Sequence, residues 1–375
     1  MTARMKLVLV LCGAITMAAS TGYFLGGGAR KAERIEVSTG GIGDPTITSV
    51  RPQRNSERTW RSRKHRLLFR LGTDPRCPLL LPTSVRSDTA GNIFVLDWGE
   101  RKVKEFSPAG TFVGAYGRGE GKGPGEFLNL TDFDIGEDRS VWTCDPVNGL
   151  VTIFNRKGDV IRTIRPGTPM HRIALVNRDQ CVLMASPSGD RLFSVYDGNG
   201  RLLRQFGVFI RNQRQLGIVL DGHITSLGRD RIVYAPFRSG VMAVSRAGVD
   251  TTEVCVETIS HGGFPGVLSM KSGDTEYSHV DPAAPVVSRS VSALRDDVYL
   301  LAGTGGTQGN AVVDVYAAQT GVYRYSYTLP AEASFLCVTE DRAYAVVDMV
   351  VAVWAVETGI DTMATGQVAG SIEHR

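Results

Sequence analysis

The side chains with the most chemical potential in this sequence stand at matched points of a repeated pattern. Each point lies nine residues before a recurring apolar position, and the residues are Ser84, Asp132, Arg172, His223, Arg289 and Ser334. Arginine and histidine donate hydrogen bonds to carboxylates and phosphates. If the six points meet around one axis, Arg172, Arg289 and His223 predict a site for a small polar or anionic ligand at its mouth.

A metal site is the alternative interpretation of the same ring. His171 stands beside Arg172, and together with His223 and Asp132 it would supply the nitrogen and oxygen ligands that Zn²⁺ or Ca²⁺ takes. The two arginines of the ring would repel a cation, which favours an anion. The sequence has no HExxH, GxSxG or phosphate-binding loop motif. The sequence therefore favours a binding or scaffold module, and a metal-dependent lyase or hydrolase is the alternative function.

Two connections between repeats are long, and long ordered loops often carry function. The connection 207–222 carries Arg211 and Arg214. The connection 260–287 contains the apolar stretch GGFPGVL, which we expect to be exposed and either to cover the channel or to contact a protein partner. Its candidate partner-binding residues are His261, Phe264, Tyr277 and His279.

A repeat positions these residues. The clearest unit, GNIFVLDWGERKVKEFSPAGTFVGAYG at 91–117, alternates apolar and polar residues between turn signals and predicts three short strands joined by hairpins. A strand near Ser84–Ser87 makes four. Related units begin at Arg139, Asp179, Asp230, Asp296 and Asp341. Four-stranded units of roughly 40–50 residues, repeated along a chain, are typical of a β-propeller. The sequence thus predicts an all-β fold, a six-bladed propeller with antiparallel blades.

The last unit predicts how the ring closes. It has three strands and ends near Gly359, whereas HRLLFRLG at His65–Gly72 matches the final strands of other units. We expect this N-terminal strand to complete the last blade, which removes free sheet edges. The propeller then spans residues 65–359, and residues 360–375 form a loose C-terminal tail.

The same residues carry a family resemblance. GRGEGKGPGEF at Gly117–Phe127 resembles the glycine-rich link of NHL-repeat propellers, and GNIFVLD and RKVKEFSPAG resemble that family's second and third strands. These specific motifs cover about residues 80–210. The resemblance implies a six-bladed propeller that presents its inter-blade face. Metal hydrolases and lyases occur among similar propellers.

The N-terminal region predicts export. Arg4 and Lys6 precede an apolar run, so residues 1–29 form either a cleaved signal peptide or a retained membrane anchor. The chain is then periplasmic or extracellular. Residues 30–64 are rich in arginine, glycine and proline and predict a flexible basic linker, which would suit an acidic membrane surface.

Charge and cysteine usage limit the other classes. The net charge of +4 is too small to indicate nucleic-acid binding. The cysteines beyond the first segment are far apart and lack metal-binding spacing. The strand patterns around Cys144, Cys181, Cys255 and Cys337 favour free, buried thiols.

Overall fold

The structure, a computed structural model, describes residues 33–35, 50–53, 57–185, 191–209, 217–249, 252–260, 264–272, 275–303 and 311–362. The described residues form six four-stranded antiparallel sheets and one small three-stranded sheet. The sheets are the blades of a six-bladed β-propeller, as the repeat predicted.

The strands follow the chain blade by blade. Two early strands are β1 (Glu33–Ile35) and β2 (Arg61–Leu71). Blade one is β3 (Pro82–Ser87), β4 (Ile93–Asp97), β5 (Lys102–Phe106) and β6 (Phe112–Tyr116). Blade two is β7 (Asp132–Ile135), β8 (Val141–Asp145), β9 (Leu150–Phe154) and β10 (Val160–Ile164). Blade three is β11 (Met170–Val176), β12 (Gln180–Ala185), β13 (Phe193–Asp197) and β14 (Leu202–Phe206).

The second half continues the pattern with two additions. A 3₁₀ turn, Gly217–Leu220, precedes blade four, which is β15 (Gly222–Leu227), β16 (Arg231–Pro236), β17 (Val241–Arg246) and β18 (Thr252–Glu257). The hairpin of β19 (Val267–Ser272) and β20 (Thr275–Val280) follows, and β1 pairs with β19. Blade five is β21 (Ser288–Leu294), β22 (Asp297–Ala302), β23 (Val312–Ala317) and β24 (Tyr323–Thr328). Blade six has β25 (Phe335–Val338), β26 (Arg342–Val347) and β27 (Val350–Thr362).

The hydrophobic core lies between blades. Each of the six apolar clusters joins side chains of two neighbouring blades, for example Val95 of blade one with Val353 of blade six. The middle strands are therefore apolar on both faces, and every residue of β4 and β8 is buried. A blade cannot bury its two faces alone, which makes the ring cooperative.

Local turn chemistry explains why the repeat folds into hairpins. Ser107, Asn155 and Asp197 occupy equivalent turns, and the side-chain oxygen of each accepts the backbone N–H four residues later, at 3.1, 3.0 and 2.9 Å. The glycine three residues after each has a φ of +84°. Glycine adopts this left-handed conformation without the steric cost that other residues meet.

The predicted closing strand is confirmed. β2 pairs antiparallel with β27, so blade six takes its fourth strand from the N-terminus. The strand begins at Arg61, four residues before the predicted His65, and β27 continues to Thr362. Residues 1–29 and 363–375 lie outside the described residues. The described part of the chain includes no helix with the length and hydrophobicity of a transmembrane span.

The flexible-linker prediction for residues 30–64 needs correction at its C-terminal end. Residues 50–53 and 57–60, here called the N-terminal strap, run along the outer strands of blades four and five. Arg51 bridges Val256 of β18, and Trp60 bridges Ser326 of β24. Arg58 forms an ion pair with the buried Asp314. Arg58 is thus bound to the propeller surface, because blade five presents the carboxylate of Asp314 to it.

The strap's continuation into β2 makes similar contacts. The guanidinium of Arg61 lies 4.5 Å from the ring centre of Tyr325, and that of Arg63 lies 5.1 Å from that of Tyr327. Such cation–π contacts stabilise a basic segment against an aromatic surface. These arginines are therefore directed at blade five.

Candidate ligand-binding site at the channel mouth

The first strand of each blade lies innermost, and the first strands of neighbouring blades contact one another around the axis. Five of the six predicted ring residues lie at the start of these strands, and Ser334 directly precedes β25. The structure therefore brings the six positions to the same end of the central channel. The chemical roles of the six side chains differ, because groups of neighbouring blades already bond to some of them.

Asp132 belongs to the wall of the channel. Its Oδ1 accepts a hydrogen bond from Arg86 Nη2 at 3.3 Å, and its Oδ2 accepts one from the backbone N–H of Ile173 at 3.1 Å. Arg86 Nη1 also lies 3.7 Å from Asp134 Oδ1, and the other oxygen, Asp134 Oδ2, accepts a hydrogen bond from the N–H of Leu175 at 2.7 Å. Asp132 and Asp134 thus link blades one, two and three, and their charges face Arg86.

Two serines of the ring also differ. Ser84 is buried, and its hydroxyl oxygen has no hydrogen-bond partner among the residues described. Ser334 is exposed, and its backbone N–H donates to Val346 O at 2.9 Å. Ser334 therefore lies at the rim, whereas Ser84 lies in the wall.

Arg172 is buried and fixed in position. Its Nε donates to Gly222 O at 3.1 Å, and its Nη1 donates to His171 O at 3.0 Å. Its guanidinium carbon lies 5.6 Å from the ring centre of Phe237. Asp221, beside Gly222, is the nearby anion, and burial raises the pKa of its carboxyl although the charge of Arg172 opposes the shift.

His223 is held among aromatic rings. Its imidazole lies edge-on to Phe237, with ring centres 4.6 Å apart, and edge-on to Phe335, at 5.5 Å. Burial, followed by the positive charge of Arg172, holds the pKa of His223 well below its usual range. The imidazole is therefore neutral at pH 7 and serves as a hydrogen-bonding group, not as the cation that the sequence suggested.

Arg289 is the arginine of the predicted ring with an unpaired donor; in the channel wall, Arg86 also has a buried Nε without a partner among the described residues. The Nε of Arg289 is buried and has no hydrogen-bond partner among the described residues. Burial lowers the pKa of its guanidinium, and the charge of Glu332 only partly opposes this. A buried N–H without a partner costs free energy that a bound acceptor would recover. Of the two arginines in the predicted ring, Arg289 is thus the one with an unmet donor.

The residues predicted as metal ligands, His171, His223 and Asp132, have other surroundings in the structure. His171 is buried, and desolvation, followed by the charge of Arg172, lowers its pKa to about 4. Asp132 is engaged by Arg86, as described above. Within the described ranges, no group of three or more His, Cys, Asp or Glu side chains is arranged to hold a metal ion.

The connection 260–287 departs from its prediction. Phe264 and Val267 pack against the core of blades three and four, so the described part of the GGFPGVL stretch, residues 264–268, is buried or half-buried and not an exposed apolar surface. The reason is that the hairpin folds back onto the propeller, where Val280 reaches the same cluster. His279 is half-buried on β20, and of Tyr277 only the backbone, paired with Met270, is described. His261, Arg211 and Arg214 lie outside the described residues.

Sequence reasoning missed three residues of the site: Asp221, Phe237 and Phe335. The N–H groups of Val287 and Ser288 donate to Phe237 O at 2.6 and 3.1 Å, so the end of the long connection fixes this turn. Phe335 follows the predicted Ser334 by one position, and only the register of β25 shows which of the two faces inward. Phe237 carries no sequence signal, since it lies in a turn between β16 and β17.

The strand pattern is confirmed for three of the four predicted buried cysteines, and Cys337 departs from it because it is partly exposed. Cys144, Cys181 and Cys255 are buried free thiols, and Cys77 and Cys337 are free and partly exposed. Burial raises the pKa of the Cys255 thiol to about 12 and that of Cys337 to about 11. These thiols are therefore protonated at neutral pH.

Comparison with known proteins agrees with this architecture. A family model named DUF5128 and described as a 6-bladed beta-propeller matches residues 68–171. A search of curated proteins finds no significant match in sequence. A candidate exported protein from Bacteroides fragilis has a similar structure, with a TM-score of 0.54 at 11% identity over 82% of this chain and 98% of its own.

Two further solved structures are similar at the level of fold. The RRP9 WD40 repeats match with a TM-score of 0.52 at 13% identity, over 79% of this chain and 100% of theirs. Virginiamycin B lyase from Staphylococcus aureus matches with a TM-score of 0.50 at 10% identity, over 78% and 99%. Identities this low show the fold alone. The chain is a six-bladed β-propeller with four-stranded antiparallel blades.

Proposed function

We propose that this protein is a binding module that holds a small anionic ligand at the mouth of its channel. The observation that supports this proposal most directly is at Arg289, a guanidinium in the mouth whose buried Nε lacks a partner among the described residues. A carboxylate or phosphate oxygen is the acceptor that satisfies such a donor best.

The neighbours of Arg289 support a binding role. Arg172 adds a second positive charge that its backbone contacts hold in place. His223 is neutral and is fixed between Phe237 and Phe335. A site built on strand starts and closed turns is pre-organised, which lowers the entropy lost on binding.

The proposed setting is outside the cytoplasm. The charged and apolar layout of residues 1–29 supports a signal peptide or membrane anchor. The structural similarity to a candidate exported protein is compatible with this setting. The glycine-rich link at Gly117–Phe127 supports an NHL-type propeller: Gly117, Gly119, Gly121 and Gly125 all have positive φ, and Phe127 is buried.

A protein partner at the same face is part of the proposal. His279 is half-buried on the hairpin beside the mouth. Because Phe264 and Val267 pack into the core, deletion of 260–287 would disturb folding. The test is partner capture by the double variant His279→Ala with Tyr277→Ala, measured together with its melting temperature. Weaker capture at an unchanged melting temperature supports the proposal, and unchanged capture contradicts it.

Calorimetric titration with acetate, benzoate and inorganic phosphate tests the ligand proposal. We expect saturable binding of at least one anion and a loss of about tenfold or more in affinity in Arg289→Gln. Arg295→Gln is the matched control, since that arginine is exposed and pairs with Glu340 at the surface. Absence of anion binding, or equal affinity in Arg289→Gln and the control, would refute the proposal.

A further inference from the structure

We infer that the ligand is a small aromatic monocarboxylate, whose ring lies against Phe237 and whose carboxylate meets Arg289. The inference rests on the proposed anion site and names the class of its ligand. Three features of the mouth carry it: an aromatic wall, the balance of charges, and an aromatic contact that reaches across blade five.

The aromatic wall is formed by Phe237, His223 and Phe335. Phe237 is partly exposed, and its backbone is fixed by the N–H groups of Val287 and Ser288. His223 contacts both phenylalanine rings edge-on. Aromatic rings favour edge-to-face and offset contacts with centres roughly 4.5–7 Å apart. A partly exposed ring held in this arrangement offers a flat ligand the same kind of contact.

The charges favour a monoanion. Arg86 forms ion pairs with Asp132 and Asp134. Arg172 donates to the carbonyls of Gly222 and His171. Burial disfavours the charged form of His223. Among the described residues, Arg289 is the ring cation that keeps an unpaired donor, so one negative charge at this point completes the site. A phosphate dianion would leave an excess negative charge near Asp221, in a region where desolvation strengthens repulsion.

An aromatic contact at the mouth limits the ligand's size. His223 of blade four and Phe335 of blade six meet across blade five, with ring centres 5.5 Å apart. We expect side chains that touch across a whole blade to leave room for a compact ligand. This favours a compact molecule over a peptide threaded through the ring.

Calorimetric titration of the full chain with benzoate, acetate, inorganic phosphate and benzyl alcohol, at constant ionic strength, tests the inference. We expect benzoate to bind about tenfold or more tightly than acetate, with phosphate and benzyl alcohol weaker than benzoate. Phe237→Leu should remove the preference for benzoate over acetate, whereas the surface variant Arg295→Gln should keep it. Phe237→Tyr should retain benzoate binding, which shows that the ring is needed and that the turn folds.

The outcomes separate this inference from the function on which it depends. If acetate or phosphate binds as tightly as benzoate and only Arg289→Gln abolishes binding, the anion site stands and the aromatic class is wrong. If benzyl alcohol binds as tightly as benzoate, the carboxylate assignment is wrong. If none of the anions binds, the proposed function fails as well.

Discussion

Substitution of Arg58 by alanine should destabilise the propeller far more than a surface mutation. Arg58 Nε donates to Asp314 Oδ1 and Arg58 Nη2 donates to Asp314 Oδ2, each at 3.1 Å, so the contact is bidentate. The side chain of Asp314 is 0% exposed and that of Arg58 is 24% exposed. Removing the arginine leaves a buried carboxylate whose remaining described donors are the hydroxyls of Ser326 and Ser260, at 2.6 and 3.2 Å.

Removing one partner of a buried ion pair costs about 3–5 kcal/mol. Because Arg58 is partly exposed and water can reach the carboxylate in its place, we expect about 3 kcal/mol, at the low end of that range. Urea denaturation at pH 7 measures the free energy of unfolding directly, with the slope compared between variants to confirm that the unfolding transition is unchanged.

Arg76→Ala is the matched control for this measurement. Its ion pair with Asp74 is also short, at 2.8 Å, but the arginine side chain is 90% exposed. Exposed pairs of this kind contribute little to stability, because water screens the two charges. The double variant Arg58→Ala with Asp314→Asn should recover part of the loss, because the uncompensated charge is gone. A loss in Arg58→Ala no larger than in Arg76→Ala would show that the strap is a tether and that the packing argument is wrong.

Two further predictions concern buried titratable groups. His171 has a pKa of about 4 in the folded protein against an ordinary value of 6.5, so the unfolded chain binds more protons between these values. Stability should therefore be constant above pH 6.5 and fall by about 2–3 kcal/mol as the pH drops to 4. His171→Asn should flatten this dependence in denaturation midpoints measured from pH 7 to 4.5, and equal slopes in both proteins would contradict the assignment. The buried thiols of Cys181 and Cys255 should resist alkylation at pH 8 until the chain unfolds, whereas the partly exposed Cys77 should react first. Peptide mapping after iodoacetamide treatment locates the labels, and rapid native labelling of Cys181 would show that the blade interface opens.

The propeller itself was predictable from the sequence, because its determinants are local and repeated. Turns such as SPAG, NRKG and DGNG fix the hairpins through side-chain oxygens and a left-handed glycine. Apolar alternation then sets the strands, and the unpaired strand pattern at His65–Gly72 indicated how blade six closes. These signals lie within a few residues of the structure that they specify.

The site was only partly predictable. Repeat spacing located Arg172, His223 and Arg289 at the channel mouth, because equivalent positions of a ring meet on its axis. Which of them face a ligand depends on neighbouring blades. Arg86 engages Asp132 from a different blade, and Phe335, one residue beyond the predicted Ser334, contacts His223. The spacing of the repeat does not predict such contacts between blades.

What the sequence alone determined is the number, order and hairpin chemistry of the blades, since those follow from short-range periodicity and turn residues. What only the tertiary structure decided is the partner of each charged side chain. The sequence pattern assigns Arg58 to a basic linker, whereas in the fold it contacts Asp314, 256 residues away. Burial of that carboxylate, which no local pattern reports, converts a solvated arginine into a structural one.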